Sequence, residues 1–342
     1  MALIFSKSMK LIIKVLLLIF PFFIINILYQ NSDEWKNKYD LERFKSIPEG
    51  IEVANLGSSH GSAFDYNIGE FEGLNCFNFA IPQQTLDFDY AVLRQNINNF
   101  KKDSILMILV SPFETDGIPD YEFNRDAKLR YYGFLKHKYF EDFSIHDWLT
   151  FNCLAIFLSP HPLADIKKLF TGPKVSPKNR KDEVSLHFLD NSISLQDTKE
   201  KRFDDLSPEE KQTQIKVYIT EGWLILFPPS QVGKTYNKKY ISSMIDLCKV
   251  HEINPVIITT PISKEAFDVL YNGSTTTYYN IYKFHEELKQ EYPEVKFLNY
   301  IDLYFNESHY FEDNNHLTRT GAKDFSRRVY SDLSTLKYLK KK

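Results

Sequence analysis

From Leu11 to Tyr29 the chain reads LIIKVLLLIFPFFIINILY, apolar except at Lys14 and Asn26. Roughly 20 apolar residues in a helix cross the hydrocarbon core of a bilayer, so this run predicts a transmembrane span. Lys7, Lys10 and Lys14 stand at its front, and Asp33 and Glu34 follow it. That charge asymmetry predicts a cytoplasmic amino terminus and an outward-facing remainder. A cleaved signal peptide would share this polarity, but Ile25–Asp33 offers Ser32 and no A-x-A pattern, which favours an uncleaved anchor. The apolarity on every face argues against a buried helix of a soluble domain. No later stretch is long and apolar enough for a second span. The expected organisation is therefore an anchor over residues 1–32, a charged stalk over 33–50 and a domain over 51–342.

After Pro48-Glu49-Gly50, Ile51–Leu56 alternates apolar and polar residues as a strand does and is broken by Gly57. Phe77–Ile81 is a second short apolar run closed by Pro82. Leu86, Tyr90, Leu93 and Ile97 recur at helical spacing within Thr85–Phe100. Ile105–Val110 is continuously hydrophobic, as in a parallel strand covered on both faces. The pattern then weakens over about 115–235. A polar stretch, Pro173–Glu183, lies there between helical signals near Ser144–Leu158 and Ser207–Thr220, the latter opened by Ser207-Pro208-Glu209-Glu210. This region reads as a long insertion, either framing a site or elaborating the fold. Regularity returns with a helix over Lys238–Val250, a strand over Pro255–Thr260, a helix over Thr277–Glu291 and a strand over Val295–Leu298. A last helix buries Ala322, Phe325, Val329 and Leu333. Alternating β and α elements predict an α/β fold with a doubly wound, mostly parallel sheet.

Composition changes this picture little. Hydrophobic residues make up 43% and charged residues 25%, an ordinary globular balance. A net charge of -3 without a basic stripe gives no support to a nucleic-acid partner. The 28 Phe and 21 Tyr would suit carbohydrate or acyl contact, and equally a codon bias filling cores with aromatics. Cys76, Cys153 and Cys248 show no metal-type spacing, and an odd count argues against a full disulfide framework. No histidine pattern suggests a metal, and no glycine-rich phosphate loop is present, so no cofactor is expected.

Functional groups in open parallel sheets collect at the carboxyl ends of strands. Asn55-Leu56-Gly57-Ser58-Ser59-His60-Gly61 is such a place, a strand ending in glycine and two hydroxyls. It reads as a helix cap or tight turn, or as a serine presented with backbone N–H groups beside it. A second such place is Tyr310–Thr318, where Asp313 and His316 stand three residues apart ahead of the last helix. The pair reads as a capping Asp with a surface His, or as a carboxylate orienting an imidazole. Serine needs an adjacent base to become a nucleophile, and taken together the two segments supply nucleophile, base and orienter.

The Gly57-Ser58-Ser59 turn resembles the G-D-S nucleophile block of the SGNH (GDSL-type) hydrolase superfamily, and Asp313–His316 resembles its terminal D-x-x-H block. The similarity is closest to the membrane-anchored DltD-like and alginate-acetylation-like branch, which shares the single anchor and the D-x-x-H-L ending. It implies a flavodoxin-like doubly wound fold, Ser59 as nucleophile, His316 as base and Asp313 as orienter. Gly57 falls on the family glycine and is expected at the oxyanion or substrate-binding surface. The second block, which supplies an oxyanion N–H, corresponds to Ala80-Ile81-Pro82-Gln83-Gln84-Thr85, with Gln83 at the donor position and Gln84 beside it as a further residue expected at the substrate surface. The third block, G-x-N-D, has no counterpart; Ile105–Val110 runs instead into Ser111-Pro112-Phe113-Glu114. His60 is expected as a wall residue or secondary substrate contact. The resemblance implies an O-acyl, chiefly acetyl, transferase or an esterase acting on an extracytoplasmic polysaccharide, with a membrane-bound acyl-donor protein as partner. The rival expectation is an idle scaffold of the same fold in a polymer-export complex.

Overall fold

The computed structural model describes residues 2–32, 35–36, 41–110, 125–159, 161–171, 203–220, 231–272 and 284–339. Five strands form one all-parallel sheet: β1 (Ile51–Leu56), β2 (Cys76–Asn78), β3 (Phe100–Leu109), β4 (Asn254–Thr259) and β5 (Lys296–Asn299). Their order across the sheet is β2-β1-β3-β4-β5. The direction of winding reverses between β1 and β3, the kind of switch point beside which open α/β sheets bind ligands.

Parallel strands covered on both faces should be apolar throughout, and these are. Leu106, Met107, Ile108 and Ile257 are all fully buried. The half-exposed alternation expected of β1 is not what the fold uses. Only Glu52 of that strand is half-buried, and Asn55 is sealed inside among partners described below. On one face Val53, Met107, Leu109, Val256 and Ile258 pack with Phe64 and with the last helix through Phe325, Val329 and Leu333. Alternate strand residues face the opposite way. There the helix Leu86–Asn96 (α2) packs with Gln231–Val250, and the latter also packs on β4.

The remaining helices follow local signals. Over Pro208–Thr220, Ser207 Oγ accepts the Glu210 N–H at 3.2 Å and Glu210 returns the bond to the Ser207 N–H at 2.8 Å, a reciprocal capping box. Residues 284–291 of the expected Thr277–Glu291 helix are helical. Its first half lies outside the described residues, as do Ser111–Glu114 and Pro173–Glu183. The last helix, Arg319–Thr335, is capped by Thr318, whose Oγ1 accepts the Gly321 N–H at 3.1 Å.

The chain forms two compact units, Met1–Glu42 with Lys128–Ser185, and Arg43–Ala127 with Leu186–Lys342. The sheet belongs to the second. The region expected as one insertion is thus divided, its first part clustering with the amino-terminal helix. Part of the expected stalk is folded as well: Phe44 is buried in the second unit against Phe77 and Phe79, with ring centroids 5.9 and 6.1 Å apart.

The first unit is helical. The helix α1, Ala2–Gln30, shares it with Ile145–Cys153 (α3) and Pro162–Thr171 (α4). Tyr29, Trp35, Phe151 and Ile156 make its core, with Trp35 and Phe151 rings 5.0 Å apart. Among the described residues no helix is long and apolar enough to cross a membrane. Side chains 2–8 and 15–19 of α1, the latter within the apolar run, lie outside those described.

Phe325 is fully buried, 5.3 Å from the rings of both Phe64 and Tyr300. Phe325→Ala should lower the unfolding free energy by about 3–5 kcal/mol in chemical denaturation, through lost transfer energy and the cavity left behind.

Candidate active site

The turn after β1 owes its shape to close backbone approaches. Gly57 has φ +133°, and a Cβ there would lie 2.8 Å from Leu109 Cβ. At Gly61 a Cβ would lie 2.5 Å from Ala80 Cβ, so a side chain would push the turn off the loop behind it. Between these glycines the chain enters a short 3-10 helix at Ser59, with Ser58 extended before it. That geometry places the Ser59 hydroxyl at the carboxyl end of β1.

Polar groups beneath the turn hold it. Asn55 Nδ2 donates to the Gly61 carbonyl at 3.0 Å and to Asn78 Oδ1 at 3.1 Å. Asn78 Nδ2 donates to the same Gly61 carbonyl at 3.0 Å, and the Ala80 N–H donates to Asn78 Oδ1 at 2.9 Å. The Tyr66 hydroxyl donates to Asn55 Oδ1 at 2.9 Å. Buried amides satisfied in this way are high-stakes, since each lost partner leaves a polar group stranded. The Arg43 guanidinium, buried so that its pKa falls to about 9, donates to the Ala80 carbonyl.

The second element is a tight loop closed by an antiparallel bridge between Phe311 and Leu317. The Glu312 N–H donates to the His316 carbonyl at 2.9 Å, and the Thr318 N–H to the Tyr310 carbonyl at 2.8 Å. Gly321 completes the closure, because a Cβ there would sit 2.5 Å from the Tyr310 oxygen. The Ser263 N–H, just past β4, donates to the Asn314 carbonyl at 3.0 Å, tying this loop to the sheet's carboxyl edge.

The two elements meet. His316 Nε2 lies 2.9 Å from Ser59 Oγ, and His316 Nδ1 lies 3.1 Å from both carboxylate oxygens of Asp313. Asp313 is 5% exposed and also accepts the N–H groups of Asn315 and His316 at 3.1 and 2.8 Å. Its remaining acceptor capacity fits a proton on Nδ1, which leaves the Nε2 lone pair towards the hydroxyl. Distances of 2.6–3.2 Å are those proton transfer requires. A small open recess adjoins them, with Ala63, Thr260, Pro261 and Leu317 in its walls.

His60 also lines this recess, buried and stacked on His316 with ring centroids 5.0 Å apart and planes 7° from parallel. Burial, reinforced by His316 and opposed by Asp313, holds its pKa down to about 3. His60 is therefore a neutral plate behind the base.

The other expected site residues are placed differently. The Gly57 N–H donates to Asp89 Oδ1 at 2.9 Å, so this glycine shapes the turn and is not an oxyanion donor. Gln84 is buried, with its amide donating to the Phe79 carbonyl at 3.2 Å and to Asp89 Oδ1. It braces the loop from inside, which corrects its expected place at the substrate surface. Gln83 is exposed at φ 63°, a left-handed turn position between Pro82 and Gln84, and is not among the recess walls. No group of His, Cys, Asp and Glu among the described residues could hold a metal ion. Asn55, Asn78, Tyr66, Asp89 and Arg43 were not anticipated. Only the position of Asn55, one residue before the Leu56-Gly57 break, hinted at such a role.

Neither the models of known protein families nor the curated proteins give a match to this chain.

The His60 shift has a pH consequence. From about 6.5 down to about 3 the unfolded chain binds a proton that the folded chain refuses, so stability falls as pH drops through that window. Above about 6.5 the ring is neutral in both states and adds no pH dependence. His60→Phe, which keeps an aromatic plate, should flatten the dependence of the denaturation midpoint on pH across this range. A slope equal to that of the natural chain would show that His60 is not responsible.

Proposed function

We propose that the chain is a serine-dependent O-acyl transferase or esterase of the SGNH type. The observation that carries this reading is the unbroken sequence Ser59 Oγ, His316 Nε2, His316 Nδ1, Asp313, with its hydrogen-bonded steps at 2.9 and 3.1 Å. The sheet order, which is also that of flavodoxin-like folds, and the position of Ser59 beside the β1/β3 switch point agree with it. An idle scaffold has no need of a base so closely aligned on its hydroxyl.

In the proposed reaction His316 takes the Ser59 proton as Oγ attacks an ester carbonyl, and Asp313 stabilises the imidazolium. The N–H of Ser59 would face the developing oxyanion. Collapse breaks the ester bond, and His316 gives its proton to the departing alcohol. A sugar hydroxyl or water then attacks the acyl-enzyme, returning the acyl group to an oxygen and the proton to Ser59. The recess beside Ser59 is small, which favours a short acyl group such as acetyl over a long chain. No metal or cofactor enters these steps.

We further propose that α1 anchors the chain in the membrane with the sheet domain outside, where an envelope or capsular polysaccharide is the acceptor and a membrane-bound protein delivers the acyl group. Leu11–Tyr29 would span about 28 Å as a helix, close to the hydrocarbon thickness. Described apolar side chains such as Leu11, Ile13, Phe20, Phe23 and Leu28 are exposed.

The full chain in detergent should turn over a chromogenic acetyl ester. Ser59→Ala and His316→Ala should each lower kcat by about 10³-fold or more, with Asp313→Asn close behind. A fluorophosphonate should label Ser59. Undiminished turnover by Ser59→Ala would sink the reading, and labelling of Ser58 would move the nucleophile by one residue. Truncation before Trp35 is to be avoided, because it removes Tyr29 from the core of the first unit.

A further inference from the structure

The helical unit built on α1 leaves large apolar side chains in solvent. On α3, Ile145 and Leu149 are 61% and 43% exposed, and Trp148 lies with them at helical spacing i, i+3, i+4. Past the end of α3, Phe157 is 60% exposed, and Leu163 on α4 is 82% exposed. The inward side of the same elements is satisfied by Phe151, Ala155 and Ile156 in the unit's core. The outward residues are therefore not a core awaiting completion. Monomeric soluble proteins rarely leave apolar side chains of this size in a contiguous series, and where they do the series marks an interface.

The register of these helices against α1 indicates what covers them. Asn26, which interrupts the apolar run near its end, donates through Nδ2 to the Asn152 carbonyl at 3.2 Å. One turn later Gln30 Nε2 donates to the Phe151 carbonyl at 2.9 Å. The carboxyl end of α3 is thus fastened to the last turn of α1, level with the point where the apolar run stops. α4 packs on α1 as well. Around that level α1 itself presents Phe23, Ile24, Ile27 and Leu28 outward. The exposed residues of α3 and α4 thus belong to elements packed on α1, with α3 held at the level where a span would leave the hydrocarbon, and Trp148 is of a type that favours the interfacial belt.

We propose that α3, the turn after it and α4 form a monotopic platform lying in the outer membrane–water interface, its occupant being the lipid bilayer. This inference rests on the anchor reading of α1 and deepens it. The chain would hold the membrane by a span and by a lateral apolar foot, which fixes the tilt of α1 and the orientation of the unit around it.

Cys153 is exposed at the end of α3, four residues past Leu149, whereas Cys76 and Cys248 are buried, so a thiol-reactive dye reports from this face alone. The full chain, labelled there, is reconstituted into phosphatidylcholine vesicles containing phosphatidylglycerol. Interfacial helices bury their apolar side about 5–10 Å deep, so lipid spin-labelled near the top of its acyl chain should quench the dye by roughly half or more, and aqueous iodide should quench it weakly. In the triple variant Ile145→Glu, Leu149→Glu, Leu163→Glu the preference should reverse, with acetyl-ester turnover in detergent unchanged. Iodide quenching of the natural chain while it stays in the vesicles after an alkaline wash overturns the platform and leaves the anchor standing. That result would assign the face to a protein partner. Equal lipid quenching of the natural and variant chains also overturns it, since the dye would then be inserting by itself. Release of the natural chain from the vesicles by alkali overturns the anchor and the platform together.

Discussion

A hydrogen bond of 2.9 Å joins Ser59 to His316 across 257 positions of chain, and much of the second unit is arranged so that it forms. Neither partner can reach the other by local structure. The parallel sheet makes the meeting possible, because it brings the exits of its strands to one edge, where β1 delivers Ser59 and the Ser263–Asn314 bond beyond β4 anchors the loop that carries His316. Either glycine of the serine turn, replaced by a larger residue, would displace the hydroxyl by more than such a bond tolerates, since the prospective Cβ contacts are only 2.8 and 2.5 Å.

Beneath that bond lies a polar layer inside an otherwise apolar sheet. Asn55 and Asn78 both grip the Gly61 carbonyl, Tyr66 grips Asn55, and Asp89 gathers the Gly57 N–H and the Gln84 amide. Burying so many polar groups costs stability unless each is matched, and matching them imposes one geometry. Hydrophobic packing alone would let the serine turn slide by fractions of an ångström. Directional bonds hold it, and the stacked His60 ring limits the base on its far side.

Much of this was legible in the sequence. The continuous apolar runs marked β3 and β4, and the 3.6-residue spacing marked the last helix, because those elements are buried on whole faces and their composition has no competing demand. The glycine, serine and D-x-x-H segments were legible because strand exits and capped loops use few residue types. The supporting layer was not. Asn55 within Ile51–Leu56 looks like the polar half of an alternating strand, and only its three-dimensional partners show it to be internal. Gln84 reads as a loop residue beside Gln83, yet the left-handed turn at Gln83 sends the two side chains to different environments. Division of the insertion between two units was equally invisible, since it depends on tertiary pairing of α1 with α3 and α4 rather than on any local period.

The thiols of the fold carry a consequence for the compartment in which it works. None of the three cysteines is cross-linked, and Cys76 and Cys248 are sealed in apolar surroundings that push both up to about 12. Thiolate, the species that reacts with oxidants, is then essentially absent at both positions near neutrality. Maturation outside the cytoplasm would need no oxidase or isomerase to pair sulfurs, and neither reductant nor mild peroxide would alter the sheet. Among the described residues, thiol redox chemistry meets this chain at Cys153 alone.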